Sequence, residues 1–228
     1  MATPVVSKPV LVCPLKKISR NREEFMEEIL KEQNSANLPA IQKEVKFLPS
    51  DEIGRGAFGV VYKAKWVGTV VTVKQMNVRN ARRMQKVLST KVRVHSIARH
   101  PNIVQIMALA FQKNSIYIVS EYITGPNLDL LLFHDEYSVE SEDKEKVAVR
   151  QHIMDDKSNV ALQLCRAVAY LHSINPPIVH RDIKPANVLI DTRSHVTKLC
   201  DMGLSRLKTS LVTTVGNGVL GTPQYMAP

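Results

Sequence analysis

The chain has 228 residues, of which 44% are hydrophobic, and a formal net charge of +10 at pH 7. Its length suffices for one domain or two small lobes with a real core, and no apolar run approaches the ~20 residues needed to cross a bilayer. The start, MATPVVSKPVLVCPLKK, has too short an apolar run for a secretory signal. Three widely spaced cysteines predict reduced thiols in a cytoplasmic protein, and they argue against a disulfide framework or a zinc cluster.

The charge is unevenly distributed along the chain. From Ile53 to Ser120 there are twelve Lys or Arg residues and no Asp or Glu, whereas acidic residues gather between His134 and Lys146. Such a basic stretch first suggests a nucleic-acid or membrane partner. However, no aromatic-interleaved basic motif accompanies it, so we do not expect nucleic acid as a partner.

The N-terminal half predicts a leader followed by a small antiparallel sheet. Residues 1–44 form the leader, in which Ser19–Gln33 is either a short helix or has no fixed structure. From Phe47 onwards, β-branched runs separated by turn signals predict strands, with a helix of one charge sign among them. In chain order the expected elements are strands at Gly59–Trp66 and Val70–Lys74, the basic helix within Arg79–Arg99, and strands at Val104–Ala110 and Ile116–Glu121.

After Tyr122 the pattern becomes helical. The acidic segment between Phe133 and Asp156 predicts an exposed loop or insertion. Beyond it, apolar residues recur at helical spacing and predict one buried helix face. The residues expected on that face are Ala161, Leu164, Val168 and Leu171.

A glycine-rich run, IGRGAFGVVY from Ile53 to Tyr62, carries the pattern G-x-G-x-x-G-x-V. It lies between two predicted strands, so it predicts a hairpin rather than the helix start of a dinucleotide-binding fold. Glycines allow backbone N–H groups to approach an anion that a Cβ atom would block. By itself the run is equally consistent with an ordinary glycine hairpin.

Four further features follow in a fixed order. They are Lys74 in VTVK, the run VHRDIKPANVLI at Val179–Ile190, the run KLCDMGLS at Lys198–Ser205, and GTPQYMAP at Gly221–Pro228. With the glycine run, this ordered set resembles the protein kinase signature over roughly residues 48–228. GTPQYMAP resembles the Ser/Thr-kinase form of that run. The run WVGT from Trp66 to Thr69, which leads to VTVK, resembles the tyrosine-kinase-like group, a set of mainly Ser/Thr kinases.

The resemblance implies an enzyme that transfers the γ-phosphoryl group of ATP to Ser or Thr hydroxyls of protein substrates in signal transduction. Asp182 would accept or orient the proton of the substrate hydroxyl, and Lys184 is the residue found there in Ser/Thr kinases. Asn187 and Asp201 would hold Mg²⁺, while Lys74 would hold the α- and β-phosphates of ATP.

By the same resemblance, the remaining nucleotide contacts come from the glycine run, the strands and the hinge. Ser120 would be the gatekeeper, and Glu121 and Ile123 would offer backbone groups to adenine. With Lys74, the full nucleotide set is Ile53, Gly54, Arg55, Gly56, Ala57, Phe58, Gly59, Val61, Thr72, Ser120, Glu121, Ile123 and Leu189.

Several positions depart from the family pattern. Lys91 stands where the helix normally carries a Glu that pairs with the strand lysine, and no acidic residue lies nearby to replace it. Thr72 replaces the usual Ala, Met202 replaces the Phe of D-F-G, and His95 replaces an apolar residue. The loss of the Glu leaves an alternative open: a pseudokinase that binds nucleotide or a protein partner without catalysis.

The expected fold is therefore α+β, the bilobal protein kinase fold. We expect a leader at residues 1–44, a complete N-lobe with an antiparallel sheet and one helix at 45–121, a hinge at 121–127, and an incomplete helical C-lobe at 128–228. Because the sequence stops at Pro228, before the Glu of A-P-E and within the activation segment, we expect a C-terminally truncated catalytic domain.

Overall fold

The computed structural model describes residues 11–14, 45–46, 49–56, 59–66, 68–77, 98–112, 115–201, 206–207 and 222–226. The chain divides into two compact units, residues 1–97 with 105–122, and residues 98–104 with 123–228. The first contains a large antiparallel sheet, and the described α-helices lie in the second. The expected α+β fold with two lobes is thereby confirmed.

The first unit is built on a seven-stranded sheet. Its strands are β1 (Leu11–Pro14), β2 (Val45–Lys46), β3 (Glu52–Gly56), β4 (Gly59–Trp66), β5 (Thr69–Asn77), β6 (Ile106–Gln112) and β7 (Ser115–Glu121). Their order across the sheet is β1-β6-β7-β5-β4-β2, and β3 also pairs with β4. In β5, Val71 and Val73 are fully buried and alternate with half-buried residues, as expected for a strand with one face on a core.

The core of this unit is formed by side chains from both halves of the sheet. Trp66 and Met107 pack against its buried cluster. The cluster consists of Val45, Ala64, Val71, Val73, Ala108, Tyr117 and Val119. The predicted glycine hairpin is confirmed, since β3 and β4 pair with Gly56 opposite Gly59.

The described part of the second unit contains three α-helices and two small antiparallel sheets. The elements are α1 (Leu128–Phe133), α2 (Lys144–Asp155), α3 (Lys157–Ser173), β8 (Ile178–Val179), β9 (Val188–Ile190), β10 (Thr197–Leu199) and β11 (Arg206–Leu207). Strand β9 pairs with β10, and β8 pairs with β11. One core cluster of this unit consists of Leu131, Ile153 and Ile190, with Leu128, Tyr137, Val149, Met154 and Val160 packed against it.

Helix α2 corrects the prediction of a loop from Phe133 to Asp156. Only the first part of that segment is irregular, and a helix begins where the side chain of Asp143 accepts a hydrogen bond from the N–H of Lys146. Ile153 is buried on α2 and half-buried Val149 lies one turn earlier. The acid-rich composition concealed both the N-cap and this apolar pair.

The prediction of the buried face of helix α3 is confirmed at Leu171 and wrong at Ala161. Gln163, Ala167 and Leu171 are its buried residues, whereas Ala161 is exposed. Leu164 and Val168 are half-buried. A pattern of apolar residues cannot detect this face, because one of its three members is a glutamine whose amide is satisfied inside the fold.

Two side chains and two backbone groups from outside the sheet complete the outer edge of strand β10. The N–H of Thr197 donates to Gln163 Oε1 at 2.9 Å, and the carbonyl of Thr197 accepts from Asn102 Nδ2 at 2.9 Å. The N–H of Leu199 donates to the carbonyl of Asn102, and the carbonyl of Leu199 accepts from the N–H of Val104, both at 2.9 Å. The 98–104 segment and α3 therefore satisfy four backbone groups that β9 does not reach.

Two predictions lie outside the described residues: the basic helix within Arg79–Arg99 and the leader helix at Ser19–Gln33. Strand β1, by contrast, lies in the leader and was not predicted. Over the described part of the chain, the longest helices fall short of the length and apolar character that a membrane crossing needs.

The Thr197 hydroxyl provides a test of the network around β10. It is buried and has no hydrogen-bond partner among the described residues, so Thr197→Val removes an uncompensated polar group. We expect the free energy of unfolding to rise by up to ~1 kcal/mol in this variant. Gln163→Leu, in contrast, leaves the buried N–H of Thr197 without its acceptor and removes one of the two acceptors of Asn102 Nδ2, so it should lower the free energy of unfolding by about 2 kcal/mol. Urea denaturation of both variants makes the comparison, and a destabilised Thr197→Val protein would contradict it.

Candidate active site

Asp182 is the centre of the candidate site in the second unit. Its side chain is buried, and both carboxylate oxygens are engaged. Oδ1 accepts from Thr222 Oγ1 at 2.7 Å and Oδ2 accepts from Asn187 Nδ2 at 3.0 Å. Lys184 Nζ lies 3.4 Å from Oδ2 and donates to Thr222 Oγ1 at 3.0 Å. The Thr222 hydroxyl thus accepts from the lysine and donates to the carboxylate.

These contacts determine the protonation state of Asp182. Burial raises the pKa of its carboxyl group, but the hydrogen bonds from Thr222 and Asn187 and the charge of Lys184 outweigh burial. The net effect is a pKa below the ordinary value for aspartate. Asp182 is therefore a carboxylate at neutral pH, able to accept a hydrogen bond from an incoming hydroxyl group and to orient it.

His180 holds the backbone on which Asp182 lies. The imidazole is buried, its Nδ1 accepts from the N–H of Asp182 at 3.3 Å, and its Nε2 lies 3.0 Å from the carbonyl of Cys200. Burial lowers the pKa of His180, more than the Cys200 carbonyl and nearby acidic groups raise it. A neutral ring with its proton on Nε2 satisfies both contacts.

The backbone near Asp182 is held in an unfavourable conformation at two positions. Arg181 has φ of 71° and Asp201 has φ of 54°, in the left-handed region that costs non-glycine residues roughly 1 kcal/mol or more. Arg181 directly precedes Asp182, and Asp201 directly follows Cys200, the residue that His180 contacts. Such strain persists only where the surrounding contacts impose it, as is common at functional sites.

Asn187 and Asp201 fit a magnesium ion by their chemistry. The amide nitrogen of Asn187 donates to the backbone carbonyl of Asp182 at 2.8 Å as well as to its carboxylate, and the N–H of Cys200 donates to the carbonyl of Asn187 at 2.9 Å. The described residues contain no cluster of three or more His, Cys, Asp or Glu side chains that would suit a metal. One amide oxygen and one carboxylate match Mg²⁺, which retains water and takes its other ligands from phosphates.

The glycine hairpin of the first unit has open space beside two of its three glycines. A Cβ atom added at Gly54 or Gly56 meets no atom within 4 Å. Gly59 is different, because its φ is +135° and an added Cβ would lie 2.0 Å from the carbonyl oxygen of Gln75. Gly59 is thus required by the packing of β4 on β5, whereas Gly54 and Gly56 are not.

The other predicted nucleotide residues of the first unit lie on neighbouring strands. Lys74 is opposite Val61 on β4, and Thr72 is opposite Ser120 on β7. The N–H of Glu121 donates to the carbonyl of Gln105, so one of the two backbone polar groups of Glu121 already has a hydrogen-bond partner within the unit. Ile53 is half exposed and Arg55 forms a two-point ion pair with Glu52.

The predicted residues of the second unit are also on the described chain. Leu189 lies on β9, and Ile123 is buried at the start of the 123–228 segment of the unit. Ala57 and Phe58, which follow Gly56 in the sequence, lie outside the described residues, as do Lys91, His95 and Met202.

Sequence reasoning missed the roles of Thr222 and His180. GTPQYMAP contains Thr222, but nothing local in that run shows that its hydroxyl contacts a carboxylate 40 positions earlier. For His180, the signal was available in its position two residues before Asp182.

Comparisons with known proteins find a matching family and several relatives. The sequence pattern of the family described as "Protein kinase domain" matches residues 47–228. The chain is 37% identical over 180 residues to "Serine/threonine-protein kinase CTR1" of Arabidopsis thaliana, covering 78% of this chain and 20% of that protein. It is 33% identical over 179 residues to "Probable serine/threonine-protein kinase SIS8" of the same plant, covering 78% and 16%.

One further relative is named as a tyrosine kinase, and not as a Ser/Thr kinase. "Seven transmembrane domain-containing tyrosine-protein kinase 1" of Dictyostelium discoideum is 34% identical over 179 residues, which is 75% of this chain and 24% of that protein. The chain thus spans a quarter or less of the length of each of these relatives.

Thr222 tests the electrostatics of Asp182. In Thr222→Val the carboxylate loses a donor while burial remains, so the pKa of Asp182 should rise, whereas Thr222→Ser keeps a hydroxyl and should leave it nearly unchanged. NMR titration of labelled aspartate carbons measures both values.

The same variant makes a prediction about stability. A lowered folded-state pKa contributes stability above the unfolded pKa of about 3.9 that is lost as pH falls through the folded value. Thr222→Val should therefore be less stable than the unsubstituted protein at pH 7, with a smaller difference in acid. An unchanged Asp182 pKa in Thr222→Val would contradict the contact.

Proposed function

This chain belongs to the protein kinase family, and we propose that it catalyses transfer of the γ-phosphoryl group of ATP to Ser or Thr hydroxyls of protein substrates. The observation behind this assignment is the Asp182 carboxylate, which is buried, ionised and fixed by Thr222, Asn187 and Lys184. A fixed carboxylate of this kind can orient a hydroxyl group, while Lys184 offsets the negative charge that gathers at the transferring group.

The lowered pKa of Asp182 refines its role. A carboxylate that is a weak base provides little driving force to remove a proton from an alcohol before phosphoryl transfer has advanced. We therefore assign Asp182 to orienting the hydroxyl group and to accepting its proton late in the reaction. The hydroxyl of Thr222 contacts both Lys184 and Asp182, so it holds these two side chains close to each other.

We assign the nucleotide phosphates to Lys74 and to backbone N–H groups of the glycine hairpin, and Mg²⁺ to Asn187 and Asp201. When bound, the ion neutralises charge on the phosphate oxygens. Adenine contacts are assigned to Ile53, Val61 and the backbone of Glu121, and the other residues of the predicted set are assigned to the same nucleotide. The exposed thiol of Cys165 and the thiol of Cys200 are unbridged, which supports a reducing, cytoplasmic location.

A pseudokinase is the second candidate, and the observation that favours it is Lys91. A lysine there cannot supply the carboxylate that the family pairs with the strand lysine. A pseudokinase would bind nucleotide or a protein partner and transfer no phosphate.

Transfer of labelled phosphate from Mg²⁺–ATP to casein, with phosphoamino-acid analysis, separates the two. We expect label on Ser or Thr, and a fall of ~10²–10⁴-fold in Asp182→Asn. Lys91→Glu should raise the rate if the missing pair limits it. Nucleotide binding without transfer in both the unsubstituted protein and Lys91→Glu would establish the pseudokinase, and label on Tyr would overturn the choice of acceptor.

The glycines give an independent test of the nucleotide site. Gly56→Ala places a methyl group in open space, so stability should hold while affinity for Mg²⁺–ATP falls by about tenfold, because the backbone can no longer approach a phosphate closely. Gly59→Ala should instead lower the melting temperature, since its Cβ overlaps the Gln75 carbonyl. Calorimetric binding and thermal unfolding measure both effects. An unchanged affinity in Gly56→Ala would mean that the run is an ordinary hairpin.

A further inference from the structure

The leader supplies the outermost strand of the first sheet. Strand β1 pairs antiparallel with β6 in the register Leu11–Phe111, Val12–Ala110, Cys13–Leu109 and Pro14–Ala108. The other neighbour of β6 is β7. Without β1, the outer edge of β6 would therefore present a row of backbone N–H and C=O groups with no strand beside it.

Strand β6 has the composition of a strand whose unpaired edge would pair with other extended chains. Its sequence, IMALAFQ, is seven residues long, has no charge and contains no proline. Strands of this composition readily pair with other extended chains, and proteins protect them with short or proline-containing neighbours. Strand β1 has both properties, because it is four residues long and ends at Pro14, which has no N–H to donate.

The sequence around β1 is suited to this contact. Pro9 precedes the strand, Pro14 ends it, and the residues between them are Val10, Leu11, Val12 and Cys13, all uncharged. The two prolines limit how far pairing can extend. The specificity of such a strand comes from its backbone ladder and from the alternation of its side chains.

The connection between β1 and the rest of the sheet is long. The 30 residues from Leu15 to Glu44 separate β1 from β2 in the sequence. A four-residue ladder has few hydrogen bonds, so its local opening is expected to cost less free energy than opening of the central strands of the sheet.

We propose that the outer edge of β6 is a strand-docking site for an extended, uncharged apolar segment, and that Leu11–Pro14 of the same chain occupies it as a removable cover. When β1 detaches, the edge becomes available to a segment of the same chemistry from another protein. The site is independent of the phosphoryl-transfer residues, so it holds whether the protein is a kinase or a pseudokinase.

Disulfide trapping tests the contact and its register, using the native Cys13. Leu109→Cys places a second thiol directly opposite, within the 4.4–6.8 Å Cα separation at which disulfides form. Under mild oxidation we expect an intramolecular disulfide, seen as a monomer of altered mobility on a non-reducing gel and lost on adding Cys13→Ser. Ala110→Cys is the matched control, because it is one residue out of register and belongs to the opposite face.

A second pair of cysteines provides an independent test in case the first variant does not fold. Val12→Cys with Ala110→Cys, in a Cys13→Ser background, traps the neighbouring pair of the same register. The absence of a disulfide in both designs would overturn the docking of β1. A disulfide-linked dimer as the main product would overturn occupancy in the same chain and assign the edge to the leader of a second copy.

Peptide binding tests the edge as a docking site. The probe is a fluorescent peptide of residues Lys8–Lys17 with Ser in place of Cys13, followed by anisotropy. The double variant Val12→Pro/Cys13→Pro cannot maintain the ladder, because one of two consecutive N–H groups must face β6. We expect the peptide to bind this variant at least tenfold more tightly than the unsubstituted protein or the Val12→Thr control. Equal affinity for all three proteins, or binding to none, would overturn the proposal.

Discussion

A buried carboxylate must be supplied with hydrogen bonds, and the candidate site is organised around that requirement at Asp182. Burial alone would raise the pKa of the carboxyl group and so disfavour the charged form that accepts a hydrogen bond from a hydroxyl group. Thr222, Asn187 and Lys184 reverse this effect. Each of these partners comes from a different local structure: the loop itself, a 3₁₀ turn at Pro185–Asn187, and the described segment near the C-terminus.

The same requirement connects the loop to the rest of the second unit. Cys200 is bonded through its N–H to Asn187 and through its carbonyl to His180, so its position follows from both. Cys200 follows β10, whose outer edge is completed by Asn102 and Gln163. Hydrogen bonds therefore lead continuously from the 98–104 segment to the residue that precedes Asp201.

The sequence predicted well whatever depends on neighbouring residues. Alternating β-branched runs located β4 to β7, and the glycine run located the hairpin, because these signals are local. It failed where a polar residue is buried by distant partners, as Gln163 is, or where an acid-rich composition hides a capped helix, as in α2. Strand β1 and the role of Thr222 depend on pairing across many residues, which neither periodicity nor propensity can specify.

The partners of Asp182 differ in how far along the chain they lie, and this bears on how the site forms. Asn187 is five residues away, and His180 is two, whereas Thr222 is 40 residues away. Short-range contacts close at little entropic cost, and long-range contacts must wait for the chain between them to be ordered. During folding, the loop can thus take its shape before the carboxylate has its full set of donors. The contacts within the loop therefore involve only neighbouring residues, whereas the complete donor set of Asp182 joins two parts of the chain that are far apart in sequence.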